Sequence, residues 1–366
     1  MKPIRILSPS VDILAEIDNY ESLIFTRSWH GVGSFELRVN RYKQHADTLQ
    51  KQNLVMLSRN KVGIIKHREI ELDENGKATE NWLIRGVTLK GVMKQRLTEP
   101  PSNVGYDNRS SNAETVMKHY VSRNVVNPEK IARIIELVEI ANNQNRGISV
   151  SWQTRYKELA EELELISLYS GLGWDVTIDF ATKKYIFDVS EGRDLTVNQS
   201  VNPPVIFSPE FESVRTQKFT DSDLNFRNVG YVAGQGEGAE REVVLLGDAT
   251  GLDRHETFID ARDVEETSML IQRGQQKLKE FETETYLESE ILTHGTFVYE
   301  KDFDLGDFVT VQNRGWGYTR NARITEVVEV YEPNGMKLTA TFGNSRPTLI
   351  SKLKQKFAEF EIEVKR

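Results

Sequence analysis

Residues 22–39 read Ser22-Leu23-Ile24-Phe25-Thr26-Arg27-Ser28-Trp29, then His30-Gly31-Val32-Gly33, then Ser34-Phe35-Glu36-Leu37-Arg38-Val39. In the last run Phe35, Leu37 and Val39 alternate with Ser34, Glu36 and Arg38, the period of two that a half-buried strand requires. The glycines between the runs supply turn geometry, so the stretch is expected to be a strand pair. A second pair, residues 61–72 and 82–93, flanks Asp73-Glu74-Asn75-Gly76-Lys77, where Asn-Gly is a strong hairpin signal. Residues 1–97 are therefore expected to form five to seven antiparallel strands that close on themselves as a small barrel.

Moving outward, the texture changes at Pro100-Pro101. Ser111-Asn112-Ala113-Glu114 has the form of a capping box, opening a helix with Val116, Met117, Tyr120 and Val121 on one face. Residues 128–141 fit helix and strand patterns equally. Tyr156, Leu159, Leu163 and Ile166 then recur at helical spacing until Gly171 and Gly173 stop them, and a hairpin at 174–180 and 185–189 follows. Strands return at 211–219, 226–233 and 241–246. A helix from about Asp263, its expected cap, to Glu282 precedes a last β set at 296–299, 306–312, 322–331 and 336–342, with Asn334-Gly335 marking a tight hairpin. Residues 347–361 read as an amphipathic helix whose Leu349, Leu353, Phe357 and Phe360 share a face, a candidate partner interface.

The expected fold class is α+β, β-rich, with two β-barrel-like domains and two smaller mixed α/β inserts. The boundaries follow the changes of pattern. Residues 1–97 form the first barrel-like domain, completed by about 205–235, and 98–204 an α+β insert. Residues 236–292 form a small helix-containing domain, 293–345 the second barrel-like domain and 346–366 the terminal helix.

Composition narrows the function. At 366 residues the chain exceeds one ordinary core, and 38% apolar with 28% charged residues is globular composition. The net charge of -8 is spread along the chain, without the Lys/Arg clustering that a phosphate backbone requires. With no cysteine, disulfides, thiolate metal sites and cysteine nucleophiles are excluded. No run of about 18 apolar residues occurs, so no membrane span is expected, and the charged N-terminus lacks a signal-peptide core.

The residue patterns that invite chemistry have plainer readings. Gly234, Gly236 and Gly238 open into a strand, where a phosphate loop would open into a helix, so a hairpin loop is expected. Asp302, Asp304 and Asp307 lack a calcium-loop spacing and read as a strand-entry turn, with weak metal binding the alternative. The histidines (His30, His45, His67, His119, His255, His294) include no pair at zinc-ligand spacing and are expected on surfaces or turns. Glu158, Glu161, Glu162 and Glu164 read as a solvated helix face rather than a glycosidase pair. No catalytic residue, metal ligand or cofactor is expected.

Several of these stretches together carry a family resemblance. Pro3 to Leu7, Tyr20 to Leu23, Trp29 to Leu37, Gly63-Ile64-Ile65 with Glu69, Arg85 to Gly91, Gly171 to Val176, Asn225 to Gly236, Arg262-Asp263, Tyr299 to Val311 and Ala340 to Gly343 resemble siphophage tail-tip hub proteins, the ReqiPepy-type tail protein family. The resemblance implies a fold like the baseplate hub of contractile-tailed phages: two similar tube domains in a ring, with two smaller domains extending from it. It implies a homotrimer that places six barrels around a channel. The expected partners are the distal tail or tail tube protein, the tape-measure protein, and spike or receptor-binding fibre proteins, with DNA only in transit. The expected location is the tail tip of a virion or prophage particle assembled in the host bacterial cytoplasm. Family members often carry long C-terminal lytic or receptor-binding modules. This chain runs only a short way past Gly343, so those roles are expected to fall to partners. A tail-associated cell-wall peptidase or glycosidase is the alternative function.

Overall fold

The structure, a computed structural model, describes residues 1–72, 76–77, 79–264 and 266–343. Its contacts divide these into two units, residues 1–217 with 288–342, and residues 218–287 with Gly343.

Alternating apolar and polar side chains build the first seven strands: β1 (Ile4–Leu7), β2 (Ile13–Ile17), β3 (Ser22–Ser28), β4 (Ser34–Asn40), β5 (Leu54–Ser58), β6 (Lys61–Glu69) and β7 (Asn81–Thr88). They pair in the order β3-β4-β7-β6-β5-β1-β2, antiparallel throughout. The hairpin expected at 22–39 is present, with Phe25 opposite Phe35 and both buried beside Leu23, Leu37 and Val39. The strand expected to run to residue 93 stops at Thr88 instead. Residues 89–95 coil inward as a 3-10 helix, burying Leu89, Val92 and Met93. Gly91 permits this, since a Cβ there would lie 2.3 Å from the Val87 side chain. Most of the 73–77 turn lies outside the described residues.

The chain continues as β8 (Asp107–Asn112), α1 (Ala113–Val121), β9 (Val138–Ile140), β10 (Ser149–Thr154), α2 (Leu159–Ser170), β11 (Gly173–Asp179) and β12 (Lys184–Ser190). The two helices pack Val116, Met117, Tyr120, Leu163 and Ile166 into one core with Trp152, Trp174 and Phe187. The expected capping box is corrected. Asn112 caps α1 by accepting from the Thr115 N–H at 2.9 Å, while Glu114 points into the protein and binds Lys118 at 2.7 Å and Arg146 at 3.0 Å. Burial opposes ionisation of Glu114, but Arg146 and Lys118 outweigh it and hold the carboxyl at about 2. The solvated-face reading of α2 is corrected too. Glu162 is buried and accepts from the Trp152 indole at 2.6 Å, because an indole N–H enclosed in a core needs an acceptor. Gly171, at φ 79°, ends α2 as expected.

Three further strands, β13 (Asp194–Leu195), β14 (Ile206–Phe207) and β15 (Val214–Ser222), lead to the second unit. There β16 (Val229–Ala233) is flanked by antiparallel β17 (Val243–Leu246) and parallel β18 (Glu256–Asp260), with α3 (Thr267–Lys279) over one face. Gly274 lets α3 approach, since a Cβ there would lie 2.3 Å from Leu246 and 2.5 Å from Val232. Gly234, Gly236 and Gly238 form the expected loop between β16 and β17. Asp263, the expected cap of α3, instead pairs with Arg273 at 3.3 Å, four residues ahead of the first helical residue.

The last strands are β19 (Glu284–Ile291), β20 (Phe308–Asn313), β21 (Tyr318–Glu332) and β22 (Gly335–Gly343). The strand expected at 296–299 is absent. The Asp302 carboxylate takes the Val298 N–H at 2.7 Å and Glu300 has φ 66°, so the chain doubles back after Tyr299. The remaining strands pair as β15-β19-β22-β21, and β21 pairs in turn with β3. One 14-stranded sheet results, with β13, β14 and β20 branching from its main path. That path is open, ending at β2 and β15, and no closed barrel forms among the described residues. The closure expected for residues 1–97 is therefore not seen.

One five-strand order occurs twice in this sheet, as β3-β4-β7-β6-β5 and as β15-β19-β22-β21-β20. The likeness reaches the backbone. A register break falls between Ile65 and His67 on β6, opposite Gly86 and Arg85, and another between Ile324 and Glu326 on β21, opposite Phe342 and Thr341. Ahead of β5, Gln52 (φ 75°) donates to the Ile65 carbonyl at 2.8 Å, and Asn53 accepts from the Ile65 N–H at 2.9 Å. Ahead of β20, Gly306 (φ 92°) and Asp307 do the same for Ile324, at 2.8 and 2.9 Å. Ile65 and Ile324 thus hold equivalent places in two copies of one substructure.

Candidate functional site

The two repeats meet where Glu326 to Tyr331 of β21 pair with Ser28 to Leu23 of β3. Charged side chains occupy the inward phase of these strands. Arg27 follows Leu23 and Phe25 at a spacing of two, and Glu329 lies between Val327 and Tyr331 at the same spacing. The Lys61 and Glu329 side chains are both 0% exposed and lie 2.7 Å apart. Lys61 also reaches Glu300 at 2.9 Å. Glu329 accepts from the Tyr299 hydroxyl at 3.0 Å and from that of Tyr331, while Arg27 donates to Asp304 and to the Tyr299 oxygen.

Burial by itself would lower the Arg27 guanidinium, but Tyr299, Asp304 and Glu329 outweigh it and hold the group above its ordinary value. Burial pushes Tyr299 and Tyr331 upward, with Glu329 adding to the effect at each. Lys2, over the Tyr331 ring at 5.7 Å, is pulled down by burial and by Lys61. Glu329 thus gathers three donors: Lys61 from β6, 268 residues away, Tyr299 from the turn before β20, and Tyr331 two residues on in its own strand. The network fixes one register of β21 on β3, because any slip would leave buried charges unpaired, although Arg27 Nε, 3.9 Å from Glu329, itself has no hydrogen-bond partner.

Beside the junction, Trp29 is gripped from three directions. A Cβ on Gly173 would lie 2.4 Å, and one on Gly306 2.0 Å, from its ring. Its indole donates to the Gly171 carbonyl at 3.1 Å, and the Arg323 guanidinium lies 5.1 Å from the ring centroid. The Trp174 indole donates to the His30 carbonyl at 2.6 Å, and Lys90 donates to that of Ser28 at 2.9 Å. Stretches 29–37, 85–91, 171–176 and 299–311, read separately in the sequence, therefore converge on one point. His30 corrects the expectation of surface histidines. It is buried, its Nδ1 lies 2.7 Å from Ser167 Oγ, and burial with Lys90 and Arg323 nearby pushes it down to about 3.

The acidic turn is taken up in structural bonds. Asp307 pairs with Arg193 at 2.6 Å and accepts from the Asp304 N–H at 2.8 Å, while Asp304 binds Arg27. Among the described residues no group of three or more histidine and acidic side chains is placed to hold a metal ion. Nor is any helix among them long and apolar enough to cross a membrane. Leu349, Leu353, Phe357 and Phe360, the interface residues expected from the sequence, lie outside the described residues. The Lys61–Glu329–Arg27 network was missed in the sequence. Its signal was there, as charged residues sitting in the inward phase of otherwise apolar strands.

Solved structures resemble the whole chain. The 43 kDa tail protein of prophage MuSo2 from Shewanella oneidensis is 12% identical, with TM-score 0.59 over 93% of this chain and 98% of that one. The tail protein from Neisseria meningitidis MC58 is 11% identical, with TM-score 0.57 over 94% and 97%. Prophage tail protein gp18 from Listeria monocytogenes EGD-e is 12% identical, with TM-score 0.51 over 99% and 100%. At these identities the likeness establishes the fold. No curated protein matches the sequence. The family model described as Siphovirus ReqiPepy6 Gp37-like protein matches residues 3–344, so the chain, with the fold of phage tail proteins, belongs to that family.

Proposed function

We propose that this chain is the structural hub of a bacteriophage or prophage tail tip, where three copies close the tail tube. The duplicated five-strand unit carries the reading. Two equivalent units joined edge to edge in one polypeptide let three chains present six such units to a six-fold tube, with cyclic closure. In this reading the repeats are the two barrel-like tube domains: residues 1–97 hold the first, and the second is built from residues 293–343 with β15 and β19, so that β15, expected within 205–235 to complete the first, joins the second instead. Residues 98–204 and 236–292, the latter without the strand β19, are the smaller domains. The distal tail or tail tube protein sits above, spike or fibre proteins below, and the tape-measure protein and DNA pass through the lumen. Leu349, Leu353, Phe357 and Phe360 form the contact for a spike or fibre partner. The role is binding rather than catalysis, exercised in the virion after assembly in the host cytoplasm.

Mass photometry of the purified chain with its distal tail partner tests this, and a complex containing three copies is expected. One or two copies per complex at saturating partner refutes it.

A further inference from the structure

We propose that the edge of β6 beyond its register break, residues 66–69, together with residues 70–72 that follow it, pairs with β15 of a second copy of this chain. The contact repeats between copies the β21–β3 junction found within one. The inference rests on the hub reading and names the surface through which its copies meet.

In the second repeat β21 gives one edge to two neighbours in succession. Tyr318 to Arg323 pair with β20, and past the break Glu326 to Tyr331 pair with β3, the first strand of the other repeat. In the first repeat β6 gives the equivalent edge to β5 as far as Ile64. Past Ile65 no strand pairs with that edge among the described residues. At the far end of the sheet β15 holds in its repeat the place that β3 holds in the other, and it ends the path. Among the described residues β6 thus lacks a β3 equivalent, and β15 lacks a β21 equivalent.

Burial follows the same logic. Tyr331, seven residues past Ile324, is 5% exposed under β3, whereas Leu72, seven past Ile65, is 67% exposed. The side chains also complement one another. Glu69 on β6, which also meets His67 and Arg85, and Glu71 just beyond it follow the break, and β15 carries Lys218 and Arg215, the latter paired with Glu290, with an exposed Phe219 that can meet Leu72. A strand edge left unpaired is an aggregation hazard, and strand addition satisfies it with main-chain bonds. Because the two edges differ, the contact is head-to-tail and closes into a ring when the rotation per copy divides a full turn.

The absence of cysteine makes the test direct. Leu72→Cys is mixed with a differently tagged Thr216→Cys, Gln217→Cys or Lys218→Cys variant, oxidised and run on non-reducing gels. Light scattering records the oligomeric state of the parent protein. One of the three mixtures is expected to give a mixed disulfide, with Leu72→Cys alone giving none, since a disulfide needs Cα atoms within about 7 Å. The corresponding double variant should give a ladder that ends at the ring size. An oligomeric protein without the mixed disulfide, or with a Leu72→Cys homodimer, overturns the edge assignment and leaves the hub reading standing. A protein that is monomeric alone and present in only one or two copies per complex at saturating distal tail partner overturns both.

Discussion

Replacing Lys61 by Met removes the cation from the centre of the junction and leaves the buried Glu329 carboxylate with Arg27, 3.9 Å away, and two tyrosine hydroxyls. Breaking a buried ion pair from one side costs about 3–5 kcal/mol, against about 0–1 kcal/mol for an exposed pair. Since Glu329 keeps other partners, the lower end applies, about 3 kcal/mol. At roughly 2–4 °C per kcal/mol this corresponds to a loss of about 6–12 °C in Tm. All five tryptophans lie in the unit that contains the junction, so fluorescence-detected urea unfolding reads that unit by itself. Glu329→Leu should cost a similar amount. The double variant should lie near the larger single loss, about 3–4 kcal/mol rather than an additive 6, because an apolar pair of like volume leaves no buried charge stranded. Single losses under about 1 kcal/mol, or a double variant additive within about 0.5 kcal/mol, refute the view that this pair fixes the strand register.

Other consequences are open to measurement. His30 takes up a proton near pH 3 when folded but near 6.5 when unfolded, so between these values the unfolded chain binds more protons and stability falls as the pH falls. The loss from this group reaches about 1.4 kcal/mol per pH unit. His30→Gln should flatten the stability profile between pH 6.5 and 4.5 by up to that slope, and an unchanged profile refutes the assignment. Gly306→Ala drives a Cβ to 2.0 Å from Trp29 at φ 92°, while Gly317→Ala meets nothing within 4 Å at φ 63°. The first should cost about 3 kcal/mol or more and the second about 1, read by thermal unfolding; equal losses would show that Trp29 yields freely. In a zymogram the purified chain should leave bacterial cell wall intact, and clearing abolished by Glu162→Gln would contradict a binding role.

Local alternation carried the sequence reading a long way. β3 and β4, β11 and β12, and β21 and β22 each interleave apolar and polar residues, and each pairs where the pattern placed it. Errors arose where one particular side-chain contact overrode the local pattern. Glu162 looks solvated until the Trp152 indole is brought to it. Residues 89–93 alternate like a strand, but Gly91 packs against Val87 and the chain coils. At 296–299 a carboxylate four residues on, Asp302, takes the N–H that a strand partner would need. The buried network was legible only as a discrepancy, since Arg27 and Glu329 occupy apolar phases while Arg27 meets Asp304 277 residues away and Glu329 meets Lys61 268 residues away. Of the equivalent positions named above, only Ile65 and Ile324 share a side chain. Gln52 and Gly306 share a left-handed φ, not a side chain, and the matching register breaks exist only once the strands are paired.

The connection between β3 and β4 is a tight turn, residues 29–33, whereas the equivalent strands β15 and β19 are joined through residues 223–283. The chain leaves and re-enters the sheet through adjacent strands in both cases, so the sheet places no demand on what fills the gap. That position behaves as a socket. A lineage could shorten its contents to a turn, or exchange them for another module with neighbouring termini, without re-specifying a single rung of the sheet.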